Sequence, residues 1–275
     1  MASPVQQHPT VTTLLAGSRM ETDRGSVAFC AVTLITGRDR TGALRRIVVD
    51  VGHTGRRRPL EAALAREGLT PGDIDTVLCT HAHWDHTGNL NVFRSSEIML
   101  SEAERTYIRD PHPNDWPSPD WINGVFDGYR DRLTLVRPGG EVLPGVTLID
   151  AAGHSAGSVA VAVETADGTI VVAGDAIQNT QVAASGRNAL VLWDTELAER
   201  SIARIRDAAD LVRPGHDLPF EMDAAGDFRY TEPFELTLTG LDGTEPGLAF
   251  SNPAAGSQLV MPGIETQRPR FPGLA

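Results

Sequence analysis

Between Thr80 and Gly88 the chain reads Thr80-His81-Ala82-His83-Trp84-Asp85-His86-Thr87-Gly88, with three imidazoles and a carboxylate inside six positions. Eight histidines in 275 residues make such a cluster rare by chance. His81 and His83 are two apart, as on an extended turn leaving a strand, so both rings can converge on one ion. Asp85 and His86 follow where a helix can begin and can face a second ion. Imidazole nitrogen with carboxylate oxygen suits zinc, and also iron or manganese. The competing reading of the same residues is a solvated polar helix start.

Four isolated positions extend the pattern. Asp50 ends the apolar run Ile47-Val48-Val49, His154 lies in Ala152-Gly153-His154-Ser155, Asp175 ends Val171-Val172-Ala173-Gly174, and His216 lies in Pro214-Gly215-His216-Asp217. With the central H-x-H-x-D-H, these resemble the motifs of the metallo-β-lactamase-fold hydrolases over about residues 11–220. The resemblance implies an α/β four-layer αβ/βα sandwich and a dinuclear site of two divalent metal ions, zinc first and iron or manganese as alternatives. It implies His81, His83 and His154 on one metal, Asp85, His86 and His216 on the other, and Asp175 bridging them. Asp50 would support the ligand imidazoles through hydrogen bonds. Two such ions sharing a hydroxide supply a nucleophile near neutral pH. Asp85, beside Asp175 in the chemistry, would steer that hydroxide or pass a proton to the leaving group.

The fold does not fix the substrate. The order and spacing from Val142 through Gly153–Ser158 to Asp175 and on to Trp193–Ala198 are similar to the N-acyl homoserine lactonase and pyridoxolactonase branch. That favours a small-molecule ester or lactone. Lactonases of that branch carry a tyrosine three residues after the bridging aspartate, where this chain has Gln178, whose amide can still hydrogen-bond a carbonyl oxygen. A second resemblance, carried by Thr80–Leu90 and Val212–Phe220, is to short metallo-β-lactamase-domain proteins linked to RNA processing. A nuclease, a glyoxalase-type thioesterase and a metal-dependent binding or sensor protein are therefore the alternatives. A formal charge of −12 argues against broad binding to nucleic acid or anionic membrane. The candidate pocket residues are His53, Trp84, Trp116 and Gln178.

These residues need elements to hold them. Short β-branched runs predict strands at 11–16, 27–35, 46–51 and 76–80, with a helix at 60–67 making a β-α-β passage that puts the metal loop at a strand's carboxyl edge. A strand at 98–100 and a helix at 102–108 follow. A second strand set is expected at 133–136, 146–149, 158–164 and 169–173, then a helix at 196–209 capped by Asp194 or Thr195, and a short strand at 211–213. The stretch 110–121, with four prolines and two tryptophans, reads as a lid or pocket wall, or as a loop packed on its own aromatics. His112 within it reads as structural or exposed.

Hydrophobic residues make up 41% of the chain, enough for one compact catalytic domain over 11–225, preceded by a flexible 1–10 and followed by a docked or mobile extension over 226–275 that can also make a homodimer contact. No signal-peptide or membrane-spanning run is evident, which predicts a soluble cytoplasmic protein acting on small molecules. Cys30 and Cys79 lie in apolar runs and read as reduced core thiols. Arg56-Arg57-Arg58 reads as a solvated face, with an anion-holding role as the alternative.

Overall fold

The computed structural model of the chain describes residues 8–22, 25–113, 115–223, 226–238 and 248–252. The expectations for residues 1–7 and 253–275 fall outside that span. Strand β1 (Thr10–Leu15) is followed by a hairpin, β2 (Ser18–Thr22) with β3 (Gly25–Phe29), whose strands pair with each other. Then come β4 (Val32–Arg38), β5 (Leu44–Val49), helix α1 (Arg57–Arg66) and β6 (Thr76–Leu78). The metal-motif helix α2 (Trp84–Thr87), β7 (Glu97–Ser101), α3 (Glu102–Tyr107), α4 (Trp121–Gly128) and β8 (Leu133–Val136) complete the first half. Its six-stranded sheet has the order β1-β4-β5-β6-β7-β8, parallel from β5 onward.

The second half runs through β9 (Glu141–Leu143), β10 (Val146–Asp150), β11 (Val159–Thr165) and β12 (Gly168–Gly174). Helices α5 (Thr180–Ser185) and α6 (Thr195–Ala208) then lead to β13 (Leu211–Pro214), β14 (Phe220–Met222) and β15 (Phe228–Tyr230). These seven strands form the second sheet, in which the β12–β13 pair is parallel. A further antiparallel pair joins β16 (Phe234–Leu238) to β17 (Leu248–Asn252).

Strand alternation builds the layers. Ile47, Val49 and Leu78 from the first sheet meet Leu148, Val159, Val161, Val163 and Val172 from the second in a central core. The intervening residues face outward: Val48 and Val77 pack under helix residues Leu60, Leu64 and Phe126, and Ala160 and Ala162 share a core with Ile202 and Ile205. Both faces of each central strand are buried, which is why the sequence shows near-continuous apolar runs there. The result is the expected four-layer αβ/βα sandwich.

Two elements differ from the sequence expectation in an informative way. The run 27–35 is not one strand. It breaks at Cys30 and Ala31, and the Ala31 N–H donates to the Gly215 carbonyl at 2.7 Å, tying the break to the second half of the molecule. Helix α1 starts three residues earlier than its apolar spacing predicts, because Pro59 fits a first helical turn, where a missing N–H has no consequence. Beyond residue 226 the chain is docked as far as Phe234: Tyr230 donates to Asp217 Oδ2 at 3.0 Å, and Phe234 is buried. Among the described residues no helix is long and apolar enough to cross a membrane.

Candidate metal centre

Each candidate donor follows the carboxyl end of a strand. β5 delivers Asp50, β6 delivers the 80–87 loop, β10 leads to His154, β12 to Asp175 and β13 to His216. Asp50 sits at φ 56°, a conformation that costs a non-glycine residue energy and is kept only where surroundings enforce it. Three contacts do so here. Asp50 Oδ1 accepts the Thr80 N–H at 2.8 Å, and Oδ2 accepts the Thr80 hydroxyl at 2.8 Å and faces His86 Nδ1 at 2.8 Å.

Those partners set which imidazole nitrogen carries the proton. The Thr80 hydroxyl is already donated to Asp50, so at 3.0 Å it can only accept from His81 Nδ1. His154 Nδ1 lies 2.6 Å from the Leu190 carbonyl, which can only accept, and His83 Nε2 lies 3.0 Å from Asp115 Oδ1. In the neutral form of His81, His86 and His154 these partners place the hydrogen on the outer nitrogen and leave the inner one able to present a lone pair, and the Asp115 carboxylate favours the same arrangement in His83. The inner nitrogens crowd together: His81 Nε2 is 2.9 Å and His154 Nε2 is 3.1 Å from His83 Nδ1. Nitrogens converging at such distances could share a cation.

The second cluster has the same logic. Asp85 Oδ2 lies 3.4 Å from His216 Nε2 and 3.8 Å from His86 Nε2. Asp175 sits between the clusters, with Oδ1 3.2 Å from His86 Nε2 and Oδ2 3.5 Å from His154 and 3.3 Å from His216. Among the described residues His86 Nε2 and Asp175 Oδ1 are buried without a hydrogen-bond partner, which suits groups that could hold an ion. The donor sets His81/His83/His154, His81/His86/Asp175 and Asp85/His86/His216 each have their atoms within 4.8 Å of one another. Close approach of the last strand turn depends on Gly215, since a Cβ there would stand 2.1 Å from Asp175 Oδ1 and 2.8 Å from the Gly174 carbonyl.

Electrostatics match that arrangement. Burial, reinforced by His86 and His83, holds His81 well below the ordinary imidazole range, and burial lowers His154 to about 4. Both are neutral at pH 7, as metal ligands must be. Burial alone would raise the Asp175 carboxyl, but the His216 and His86 imidazoles outweigh it and hold the group well below its usual range. For His86 burial opposes a charge, and the surrounding carboxylates of Asp175, Asp50 and Asp85 overcome it and raise the imidazole. The pocket favours positive charge at that point.

A small cleft of about 110 Å³ opens onto the donors, lined by Arg19, Ala28, Trp84, Trp116, Pro117, Gln178 and Leu190 along with His83, Asp85, Asp175 and His216. Trp84, Trp116 and Gln178 line this cleft, and Gln178 Nε2 donates to Asp175 Oδ2 at 2.9 Å. His53 is not among the lining residues. Its Nδ1 accepts the Gly55 N–H at 3.0 Å and its ring stacks on Phe29 at 5.5 Å, which makes it a support behind Trp84. Arg56 does not belong to a solvated face: its guanidinium donates to the Cys30 and Ala16 carbonyls at 2.6 and 3.1 Å. Cys30 and Cys79 are buried free thiols, and burial pushes Cys30 up to about 12.

The sequence reading missed three residues. Glu104, fully buried, accepts from Ala82 N–H, Ser155 Oγ–H and Gly157 N–H at 2.9, 2.7 and 2.9 Å, clamping the 80–87 loop to the His154 loop. Asp115 reaches His83 from the proline-rich stretch. Arg19 enters the cleft from the β2–β3 hairpin. An acid among prolines and tryptophans was the one available signal for Asp115; neither of the other two stands out locally.

Comparison with known proteins agrees with this geometry. The metallo-beta-lactamase superfamily model matches residues 26–216. Metallo-beta-lactamase domain-containing protein 1 of Xenopus laevis is 32% identical over 189 residues, 68% of this chain and 72% of that protein. The N-acyl homoserine lactonase AiiB of Agrobacterium fabrum is 30% identical over 171 residues, 58% of this chain and 62% of that protein. The structure of AidC, a dizinc quorum-quenching lactonase in complex with a product, shares the fold with a TM-score of 0.58 and 16% identity, covering 75% of this chain and 80% of its own.

Proposed function

The chain belongs to the metallo-beta-lactamase superfamily, and from that premise we propose that it is a dinuclear metal-dependent hydrolase of a small-molecule ester or lactone. The observation that carries this reading is the set of inward lone pairs on His81, His83 and His154 beside a second set on Asp85, His86 and His216, with the Asp175 carboxylate facing both. His81, His83 and His154 would hold one ion, Asp85, His86 and His216 the other, with Asp175 between. Nitrogen with carboxylate donors suits zinc, with iron and manganese also compatible. When bound, such a pair supplies Lewis acidity and a water acidic enough to act near neutral pH.

The chain's own groups do the rest. Asp175, fixed by the Gln178 amide, keeps its charge in the buried site and sets the spacing of the two donor clusters. Gln178 lies in the cleft where it can turn its N–H to a substrate carbonyl oxygen, taking the place of a phenol. Asp85 faces the cleft and can hold the proton destined for the leaving oxygen. Trp84, Trp116, Pro117 and Leu190 give an apolar wall that seats the acyl part and excludes water.

The AiiB likeness supports a lactone, and the cleft composition supports it over a nucleic acid. Among the described lining residues Arg19 is the lone guanidinium or ammonium, whereas a polynucleotide track needs several phosphate contacts. The test is a panel of a short- and a long-chain acyl lactone, an aryl ester, an acyl thioester and a single-stranded RNA, given to metal-loaded enzyme and to Asp175→Ala. Ester or lactone cleavage lost in the variant is the expected result. Thioester or RNA cleavage alone would replace this substrate class by the thioesterase or the nuclease, and metal binding without turnover of any of them would make the chain a binding protein.

A further inference from the structure

Asp115 is buried, yet no arginine or lysine faces it in the contacts the structure shows; its carboxylate is met by an imidazole and a phenol. A carboxylate taken out of water costs several kcal/mol unless donors compensate it. Here Oδ1 lies 3.0 Å from His83 Nε2 and Oδ2 accepts the Tyr107 hydroxyl at 2.7 Å. The first contact is a close ionic pairing rather than an aligned hydrogen bond, and it favours the His83 proton on Nε2, which leaves Nδ1 to face His81 and His154. The second holds Asp115 itself in line.

The same residue anchors the cleft wall. Four prolines, at 111, 113, 117 and 119, deprive the 110–121 stretch of backbone donors. The bonds near Asp115 include Asp115 N–H to the His112 carbonyl at 2.8 Å and Ser118 N–H to the Asp115 carbonyl at 3.1 Å. The next two residues, Trp116 and Pro117, line the cleft, and the Pro117 carbonyl accepts the N–H of Trp84, the neighbour of His83, at 3.2 Å. The wall is therefore fastened to the ligand loop twice, once through a side chain and once through the backbone.

We propose that Asp115 is a positioning residue that couples the 110–121 cleft wall to the metal centre: it orients His83 for metal, and the occupied centre in turn holds Trp116 in place against the substrate. The coupling is reciprocal, so a substrate that settles on Trp116 strengthens metal retention. The inference rests on His83 being a metal ligand, as proposed above.

The test measures cobalt affinity and the visible cobalt spectrum of the full chain, with tryptophan emission followed during loading, for wild type, Asp115→Asn, Tyr107→Phe and Trp116→Phe. Asp120→Asn, a neutralisation of an exposed acid on the same stretch, is the control. Asp115→Asn is expected to weaken cobalt binding about 10- to 100-fold and shift the spectrum, with Tyr107→Phe changing both in the same direction by less and Asp120→Asn unchanged. The emission change on loading should shrink in Trp116→Phe, leaving the part from Trp84, and shrink in Asp115→Asn. Wild-type affinity and spectrum in Asp115→Asn would overturn the proposal, and should that variant fail to fold, wild-type behaviour of Tyr107→Phe would do so. A wild-type chain that takes up no cobalt would instead remove the proposed metal function itself.

Discussion

The two halves of the centre are held by different physics. In the first half the imidazoles of His83 and His86 lean on carboxylates, Asp115 and Asp50, and Asp50 accepts those bonds in a strained backbone conformation. In the second half His154 leans on a backbone carbonyl, and the main chain does the placing. There His216 N–H donates to the Gln178 carbonyl at 2.8 Å and Gly215 N–H to the Ile177 carbonyl at 3.0 Å. Charge tunes one half and close backbone packing sets the other, so the two should fail differently. Changes in the first half should be graded and changes in the second abrupt.

The largest expected effect is steric. Gly215→Ala puts a methyl 2.1 Å from Asp175 Oδ1, against backbone that cannot yield cheaply; metal uptake at the Asp85/His86/His216 set and all turnover should fall to background. Overpacking of this kind costs about 1–3 kcal/mol, occasionally more. A fully metallated, active Gly215→Ala would erase the proposed contrast. Asp50→Asn should instead give a graded loss, about 10- to 100-fold in metal affinity, read by chelator competition. Loss of the fold in that variant would mean that Asp50 carries structure first.

Glu104 joins the halves, so its removal should be felt in both. Glu104→Ala leaves three buried donors without their acceptor, a loss of about 1.5–3 kcal/mol for a charged partner, visible as a melting temperature lower by several degrees. An unchanged melting curve would show that the loops are held by other contacts.

The smallest effect is in pH. His154 has a folded value of about 4 against an ordinary 6.5. A base depressed in this way lends the metal-free fold stability that is fully present above pH 6.5 and is lost as pH falls towards 4, on the order of 3 kcal/mol for that shift. His83 opposes it: Asp115 outweighs burial and raises His83, so its contribution is present at low pH and lost as pH rises. The difference between wild type and His154→Gln isolates the His154 part. Equal acid sensitivity of the two metal-free proteins between pH 6.5 and 4 would refute it.

The contrast also explains what could be read in advance. The first-half motif is contiguous, and each second-half donor follows an apolar strand with its own glycine, so the local sequence carries both. The layer architecture followed from β-branched runs alternating with helical spacing. What escaped were partners set by the tertiary path. Asp115 lies 32 positions from His83 in a stretch without periodicity, and Glu104 reads locally as one more acid in the first turn of α3. The 27–35 run misled because periodicity reports burial, and both β3 and β4 are apolar although they belong to different sheets. His53, close to Asp50 in sequence, stands behind Trp84 rather than among the described residues lining the cleft.

The most direct measurement is the metal content of the purified chain by mass spectrometry after loading with zinc, manganese or iron, beside His216→Ala. The account predicts about two ions per chain for wild type and about one for the variant, with the His81/His83/His154 set still filled. Wild-type protein that retains no stoichiometric metal under any of the three loadings would contradict it.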